Sequence, residues 1–358
     1  MKITSEKYKI TLDILTPIVI NNGESYELFE LYPYGDGISG TSFGWVLNVP
    51  KMLGNMKPAK VEELNRLSCR AVANHDKDAE KEVRNLFQEA VKESGMKELG
   101  RRPCTFLPNA KERLRSNPFL EVQRHTTKPM TEKPYIPGSS LKGALRTAIL
   151  ESERKKGQET PSPNQKAKDF EAQLMGLSGN KSFFQQDPFK YLKVSDFEIQ
   201  GNSRTVVGLV KAGGKVPVYT AMTDAGCLKG FGTSVVAEGT ITIDCRAPQF
   251  LRMPAIKEAV KAFYALNLNR KLSHCDEFVN PQKSEFLQRE RVLENEGWVL
   301  LRLGHYSGIE NMSFNVDNPC VERNPEINCE GGNHFSMIEN GYPAGFCMMK
   351  EEKISCDC

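Results

Sequence analysis

The sequence lacks any apolar run of about 18 residues, the length that a membrane-spanning helix needs. Its opening stretch, MKITSEKYKITLDIL, also lacks the apolar core and the small-residue cleavage site of a secretory signal. We therefore expect a soluble, cytoplasmic protein that has no membrane partner. With 358 residues and 39% hydrophobic content, it is long enough for two domains, or for one domain with large insertions.

The sequence also lacks cysteines at the spacing of common metal sites. None of the ten cysteines forms a C-x-x-C pair, the spacing found in zinc ribbons and fingers. A structural zinc is the open alternative for the residues that cluster late in the sequence, which are Cys320, Cys329, His334, Cys347, Cys356 and Cys358. We interpret the cysteines as reduced thiols and expect no metal and no cofactor.

Acidic residues are scarce between Arg101 and Lys156. This segment contains thirteen Lys or Arg, five Glu and no Asp, an excess of eight positive charges in a chain whose net charge is only +3. The rest of the chain is therefore net acidic. A basic segment on an acidic body favours a polyanion-binding track, although a solvated basic face explains the same composition.

Hydrophobic periodicity predicts an α+β chain. Strand-like patterns occur at 7–20, 42–53, 189–199, 204–213, 232–245, 298–304 and 343–350. Helical spacing occurs at 58–95, 254–268 and 283–296, whereas 101–133 has no clear period and is interpreted as an extended surface arm or hairpin. The order of elements predicts two ferredoxin-like, RRM-like units. They span 1–200, with an inserted helical and basic subdomain at about 54–133, and 201–358.

The stretch PYIPGSSLKGALRTAIL, residues 134–150, carries the most informative pattern. Pro137 and Gly138 turn the chain, and Ser139 or Ser140 then provides a helix N-cap. The predicted helix buries an apolar face at 141, 145, 148 and 149, while Lys142 and Arg146 share the adjacent stripe.

This helix start has the chemistry of a phosphate site. The first helical turn offers unpaired amides and the positive end of the dipole. Lys142 and Arg146 add two cations, and Gly138 and Gly143 let a nucleic-acid backbone approach closely. No nucleophile, general base or metal ligand accompanies them, so the pattern predicts binding of a phosphodiester without cleavage. A capped core helix with two solvent-facing cations is the alternative.

A second glycine loop, RLGHYSG at 302–308, follows the predicted strand WVLLRL. Its glycines expose backbone amides, Arg302 is the nearest cation, and His305 suits stacking or phosphate contact. A tight turn without a ligand is the alternative. The predicted RNA-binding residues are Gly138, Ser139, Ser140, Lys142, Gly143, Arg146, Arg302, Gly304 and His305, with Arg113, Arg115, Arg124 and Lys128 extending the track.

The segment IPGSSLKGALRT closely resembles the hallmark motif of the RAMP superfamily, the repeat-associated proteins that build CRISPR effector complexes. Further segments resemble the same family: LTPIVI at 15–20, DPFKYLKVSD at 187–196, the glycine loop, and PAGF at 343–346. Together with YELFELYPYG before FGWVLNVPKML, they look most like the terminal, fifth backbone-like subunit of the type III-A (Csm) complex.

This resemblance implies two RNA-recognition-like folds and binding to the 3′ part of the CRISPR guide RNA (crRNA). It also implies a position that caps the backbone filament, contact with neighbouring backbone and small subunits, and no catalytic residue. A guide-trimming nuclease is a further candidate partner. The implied role is antiviral defence.

A RAMP-type endoribonuclease, acting in guide processing or target RNA cleavage, is the alternative function. RNA-cleaving backbone subunits of the family carry an Asp shortly before the IPGSSLKG motif, but 123–135 contains no Asp. Asp36 is a possible substitute, although we favour an ordinary Asp-Gly turn as its explanation. His305 and His334 lie in glycine-containing stretches, without a second acid or base at fixed spacing.

Overall fold

The computed structural model describes residues 5–33, 42–117, 119–159, 167–177, 183–211, 217–272, 280–305 and 337–356. Its strands are β1 Ser5–Ile14, β2 Asn21–Ser25, β3 Leu31–Pro33, β4 Ser42–Leu47, β5 Gly100–Phe106, β6 Gln123–His125, β7 Tyr135–Ile136, β8 Leu192–Val194, β9 Phe197–Ile199, β10 Thr205–Lys211, β11 Val218–Met222, β12 Val236–Asp244, β13 Val299–Arg302, β14 Met337–Ile338 and β15 Phe346–Cys356.

The helices alternate with these strands through most of the described chain. They are α1 Val49–Asn55, α2 Pro58–Asn74, α3 Lys77–Ser94, α4 Met96–Leu99, α5 Pro108–Ser116, α6 Gly138–Gly157, α7 Ala167–Leu174, α8 Phe183–Gln186, α9 Met253–Leu272 and α10 Asn280–Asn295. No helix in the described ranges is long and apolar enough to cross a membrane.

The first sheet has the strand order β13-β15-β1-β12-β9-β7, with β8 also paired to β12. β1 lies between β12 and β15 and is antiparallel to both. Helix α6 follows β1 and helix α9 follows β12, which gives the β-α-β-β-α-β arrangement of a ferredoxin-like unit. The alternation of Tyr8, Ile10 and Leu12 puts these side chains in the core against the helices.

The second sheet has the order β2-β6-β11-β10-β5-β4-β3, with β14 paired to β10. It is a mixed sheet, because β5 runs parallel to β10 and antiparallel to β4. The prediction of a surface arm at 101–133 is wrong in this part. β5 is an interior strand whose Cys104 and Phe106 are fully buried; the charged and proline residues at its beginning hide the alternation in the sequence.

The predicted helical insertion is confirmed and lies between β4 and β5. Its helices α2 and α3 pack through Leu64, Leu67, Val83 and Phe87 into a core of their own. The Phe87 ring stacks on Phe29 at 4.6 Å between centroids, which connects this helical layer to the chain just before β3.

The α+β class with ferredoxin-like organisation is confirmed, but the two sheets do not separate at residue 200. The ferredoxin-like sheet takes β1 and β7–β9 from the first part of the chain and β12, β13 and β15 from the second. The second sheet likewise combines β2–β6 with β10, β11 and β14. The order of elements suggests two units divided at residue 200, but strands that are distant in the sequence pair with each other across that boundary.

Residues 15–20, LTPIVI, form a junction between the sheets. Phe346 accepts backbone hydrogen bonds from Leu15 and Thr16, and Gly345 donates one to Pro17. On the other side, the carbonyl of Ile18 accepts from Thr223 and that of Ile20 from Thr126. Through these bonds, a segment that is not itself a strand pairs its backbone groups with three separate parts of the chain.

Candidate nucleic-acid interface

Helix α6 begins at Gly138, one turn earlier than side-chain capping by serine would place it. Pro137 is the N-cap residue, and its side chain makes no capping hydrogen bond. The Gly138 amide donates to Asp196 Oδ1 at 2.8 Å, and the Ser140 amide donates to the Pro137 carbonyl at 2.9 Å. The prediction of Ser139 or Ser140 as N-cap is therefore wrong, because a carboxylate from the β8–β9 connection takes that role.

Gly138 is a packing glycine. A Cβ atom at this position would lie 2.4 Å from the Val194 carbonyl oxygen and 2.5 Å from that of Ser195. The residue is buried, so neither its surface nor its amide is available to a phosphate. The glycine allows close contact of helix and strand backbone, where the sequence suggested close approach of RNA.

Arg146 is also committed to the protein. Its guanidinium forms ion pairs with Glu171 of α7 and, at 2.8 Å, with Asp187. It also lies over the Phe189 ring, 4.3 Å from the centroid. The predicted role of Arg146 as a phosphate-binding cation does not match these contacts, since two carboxylates already neutralise it.

The outward face of α6 is different. Ser139 and Gly143 are exposed, and a Cβ at Gly143 would meet nothing within 4 Å. Lys142 forms no ion pair with any described residue. Partial burial lowers the pKa of its ammonium; Asp187 opposes this effect and Arg146 adds to it. An anion placed beside Lys142 would favour its charged form.

The glycine loop after β13 is held against residue 19. Gly304 has φ +87°, and a Cβ there would lie 2.3 Å from the Val19 carbonyl oxygen, which also accepts the His305 amide at 2.7 Å. Arg302 is 3% exposed and donates to the Ala344 and His305 carbonyls, both at 3.0 Å. The predicted ligand-binding role of Arg302 therefore gives way to a structural one, in which it supports the loop.

A cavity of about 240 Å³ joins the two motifs. Helix α6, helix α9, the junction segment and the glycine loop all contribute to its lining, which consists of Ile20, Ser140, Gly143, Ala144, Thr147, Tyr264, Arg302, Leu303, Gly304 and His305. The Tyr264 hydroxyl donates to the Ala144 carbonyl at 3.1 Å and fixes the two helices together. Two segments more than 150 positions apart in the sequence thus form one surface.

His305 stands at the rim between this cavity and a second one of about 570 Å³. Its side chain is exposed. The second cavity also takes Glu24 and Glu121 into its lining, and the two carboxylates accept hydrogen bonds from Asn22 and Ser25. The described lining is therefore acidic on the β2–β6 side of His305, whereas no acidic residue lines the cavity on the α6 side.

A family model of the RAMP superfamily matches residues 11–317, most of the chain. The chain belongs to the RAMP superfamily. No curated protein matches it.

The solved structures that share its fold include a chain of a Csm complex and a Csm5 chain. A chain of a Csm–crRNA–target RNA ternary complex of a type III-A CRISPR–Cas system has TM-score 0.64 and 17% identity, covering 97% of this chain and 100% of that one. The T. onnurineus Csm5 crystal structure has TM-score 0.61 and 16% identity, with coverage of 94% and 99%.

The RAMP landmarks found in the sequence touch one another. Asp187 and Asp196, at the two ends of DPFKYLKVSD, hold Arg146 and Gly138 of the hallmark motif. PAGF and the glycine loop both bond to LTPIVI. Most of the RAMP landmark residues therefore hold the α6 and glycine-loop segments in place, and fewer of them face outward.

The predicted basic track divides in the same way. Arg124 bonds to Ser25 and Glu30 and lies over the Tyr26 ring, and Lys128 pairs with Glu198. Arg113 and Arg115 are exposed on α5 and pair with no described residue. A continuous track through all four residues stays a prediction that these ion pairs weaken.

Several residues escaped the sequence analysis. Ile20, Thr147 and Tyr264 line the cavity. The sequence pattern around them indicates only the end of an apolar strand and two helices. His125 is 1% exposed and accepts from the Ile20 amide, while burial lowers its pKa to about 3. It is a neutral core histidine, and a buried histidine has no signal in a single sequence.

The predicted metal and catalytic alternatives fall mainly outside the described residues. Asp36, His334, Cys320, Cys329 and Cys358 lie there, as does the side chain of Cys356. Cys347 is fully buried, and burial raises the pKa of its thiol. Among the described residues, no group of three His, Cys, Asp or Glu side chains could hold a metal ion.

Proposed function

We propose that this RAMP protein is a non-catalytic, crRNA-binding subunit of a type III-A (Csm) complex. It holds the 3′ part of the guide RNA and caps the backbone filament, beside the neighbouring backbone and small subunits. The observation that carries the proposal is the outward surface of α6, where Gly143 lines the cavity bounded by the glycine loop and follows Lys142, a cation without an ion-pair partner among the described residues.

This surface suits a nucleic-acid backbone. Lys142 supplies one cation that no described carboxylate neutralises, and Gly143 leaves the helix surface open to close approach. His305, across the cavity, supplies an exposed imidazole for stacking or phosphate contact. Such contacts recognise the sugar-phosphate backbone, so we expect little sequence preference and strong salt dependence.

The fold supports the choice of complex, because a chain of a Csm–crRNA–target RNA complex and T. onnurineus Csm5 share it over nearly their whole lengths. Cytoplasmic location, contact with other Csm subunits and recruitment of a guide-trimming nuclease are parts of the proposal that follow from this likeness.

The endoribonuclease alternative is favoured by one observation. His305 lines a cavity together with Glu24 and Glu121, and a histidine with a carboxylate is a common acid–base pair in RNA cleavage. Both carboxylates already accept hydrogen bonds within the protein, which is why we prefer the binding function.

The test is binding of guide-length RNA to the purified chain across a salt series, measured by fluorescence anisotropy. We expect Lys142→Glu to lower affinity about tenfold at low salt and to reduce the salt slope by about one ion. Lys81→Glu is the control; it makes the same charge change on exposed α3, in the helical insertion.

Equal losses in the two variants would show a general charge effect and remove the α6 site. The RNA is recovered and examined on a gel after each titration. If the wild type cuts RNA and His305→Ala abolishes cutting, the ribonuclease function replaces the proposed one.

A further inference from the structure

A cleft of about 560 Å³ lies between helix α3 of the insertion, strand β3 and helix α5, and shares no lining residue with the cavities beside His305. Its volume falls in the range of roughly 300–1,000 Å³ that is usual for small-molecule sites. None of the residues described in its lining is acidic, whereas Arg84 and Arg115 both face it. The cleft is therefore positive as well as concave.

The floor of the cleft is apolar and aromatic. Phe29 and Phe87 are stacked at 4.6 Å with an interplanar angle of 20°, and the Tyr32 ring meets Phe87 edge-on at 5.7 Å. Phe29 and Phe87 are buried, while Tyr32 is half-buried at the side. A planar apolar group can lie against such a floor.

Two cations stand at different depths in the cleft. Arg84 is fixed by a hydrogen bond from Nη2 to the Ser116 carbonyl at 2.8 Å. Its Nε–H is buried and finds no acceptor among the described residues, which is an unfavourable state for a guanidinium unless a ligand supplies the acceptor. Arg115 is exposed at the rim and pairs with no described carboxylate.

Polar recognition comes from α3. Asn85 and Gln88 lie three residues apart on one helix face, line the cleft, and have side-chain amides that bond to no other described residue. Each amide offers both a donor and an acceptor, the combination that the edge of a nucleobase requires. An acidic peptide could use the arginines and pair its backbone with these amides, but its carboxylates would leave the apolar floor uncovered.

We propose that this cleft binds one nucleoside phosphate, with the base over the apolar floor, its edge on Asn85 and Gln88, and the phosphate on Arg115 and Arg84. The ligand is either a free nucleotide or one nucleotide of a single-stranded RNA. This site is separate from the α6 surface and does not depend on Lys142.

The experiment measures binding of AMP, of a mixed-sequence RNA tetranucleotide and of inorganic phosphate to the purified chain by isothermal titration. Arg115→Glu should weaken AMP and tetranucleotide binding by about tenfold or more, because a charge-assisted bond to phosphate is lost. For AMP, Arg113→Glu is the matched control: it makes the same charge change on the same exposed turn of α5 without lining the cleft. Because Arg113 belongs to the predicted RNA track, it does not serve as the control for the tetranucleotide. Asn85→Ala should weaken AMP but leave phosphate unaffected.

Equal effects of Arg113→Glu and Arg115→Glu on AMP binding, or phosphate binding as tight as AMP, would overturn the proposal. So would tight binding of an acidic peptide where AMP does not bind. Tetranucleotide binding stronger than AMP binding identifies RNA as the source, and the reverse identifies a free nucleotide. Repeating the titration with Lys142→Glu separates the two sites: nucleotide binding should persist there even if guide-length RNA binding is lost.

Discussion

The residues of the α6 motif divide into two groups that serve different purposes. Gly138 and Arg146 form the scaffold group, because their contacts are to Asp196, Glu171 and Asp187. Ser139, Lys142 and Gly143 form the surface group: Ser139 and Gly143 are exposed, Gly143 lines the cavity of the glycine loop, and the half-buried Lys142 forms no ion pair with a described residue. The sequence pattern predicts one phosphate site, but in the structure some of its residues support the fold and others face outward. Gly138 and Lys142, one helical turn apart, differ in this way.

Gly138→Ala tests the scaffold group most severely. The new methyl group would collide with two backbone carbonyl oxygens, which cannot move as a flexible side chain can. We expect a loss of about 3 kcal/mol in the free energy of unfolding, measured by chemical denaturation. Stability within error of the wild type would mean that the helix start can shift, and the distinction between the scaffold group and the surface group would fail at this residue.

Arg146→Ala should have the next largest effect. It removes two ion pairs and the contact with Phe189 from a side chain that is 22% exposed, leaving Glu171 and Asp187 without their shared partner. We expect a loss of about 2 kcal/mol in the free energy of unfolding.

Arg146→Lys is the matched variant, and it should restore only part of the stability because an ammonium cannot bridge two carboxylates in the manner of a guanidinium. An Arg146→Ala protein of normal stability that binds guide-length RNA poorly would instead support Arg146 as a phosphate ligand, as the sequence predicts.

Gly143→Ala should give the smallest and most discriminating change. A methyl group there meets nothing within 4 Å, and replacing a mid-helix glycine should raise the free energy of unfolding by up to about 1 kcal/mol. If RNA lies close to this face, its affinity should fall severalfold in the same protein. Increased stability with unchanged RNA affinity would move the RNA contact away from Gly143.

The sequence predicts the regular elements well wherever spacing alone decides them. The apolar face of α6, at Leu141, Leu145, Ala148 and Ile149, is buried as predicted. The partners of Gly138 and Arg146 are 25 to 58 positions away in the sequence, so no local pattern distinguishes a cation bound to carboxylates from one that faces solvent. The same limit applies to Arg302, whose burial depends on the return of the chain at 344–346.

The sequence does not reveal which strands belong to which sheet, for a related reason. β5 begins with charged residues and proline, and its burial depends on being covered from both edges by β4 and β10. Tertiary pairing of this kind decides strand identity where local propensity is weak.

The central position of β1 has a consequence for biosynthesis. Its partners are residues 236–244 on one side and 346–356 on the other. A nascent chain on the ribosome therefore carries an apolar strand, Ser5–Ile14, that has neither partner until residues 236–244 have been made, and that gains the second only when residues 346–356 have been made. Such long-range pairing slows folding and leaves the strand edge exposed to other chains in the meantime. Chaperone capture or early pairing with another protein would protect this strand during synthesis.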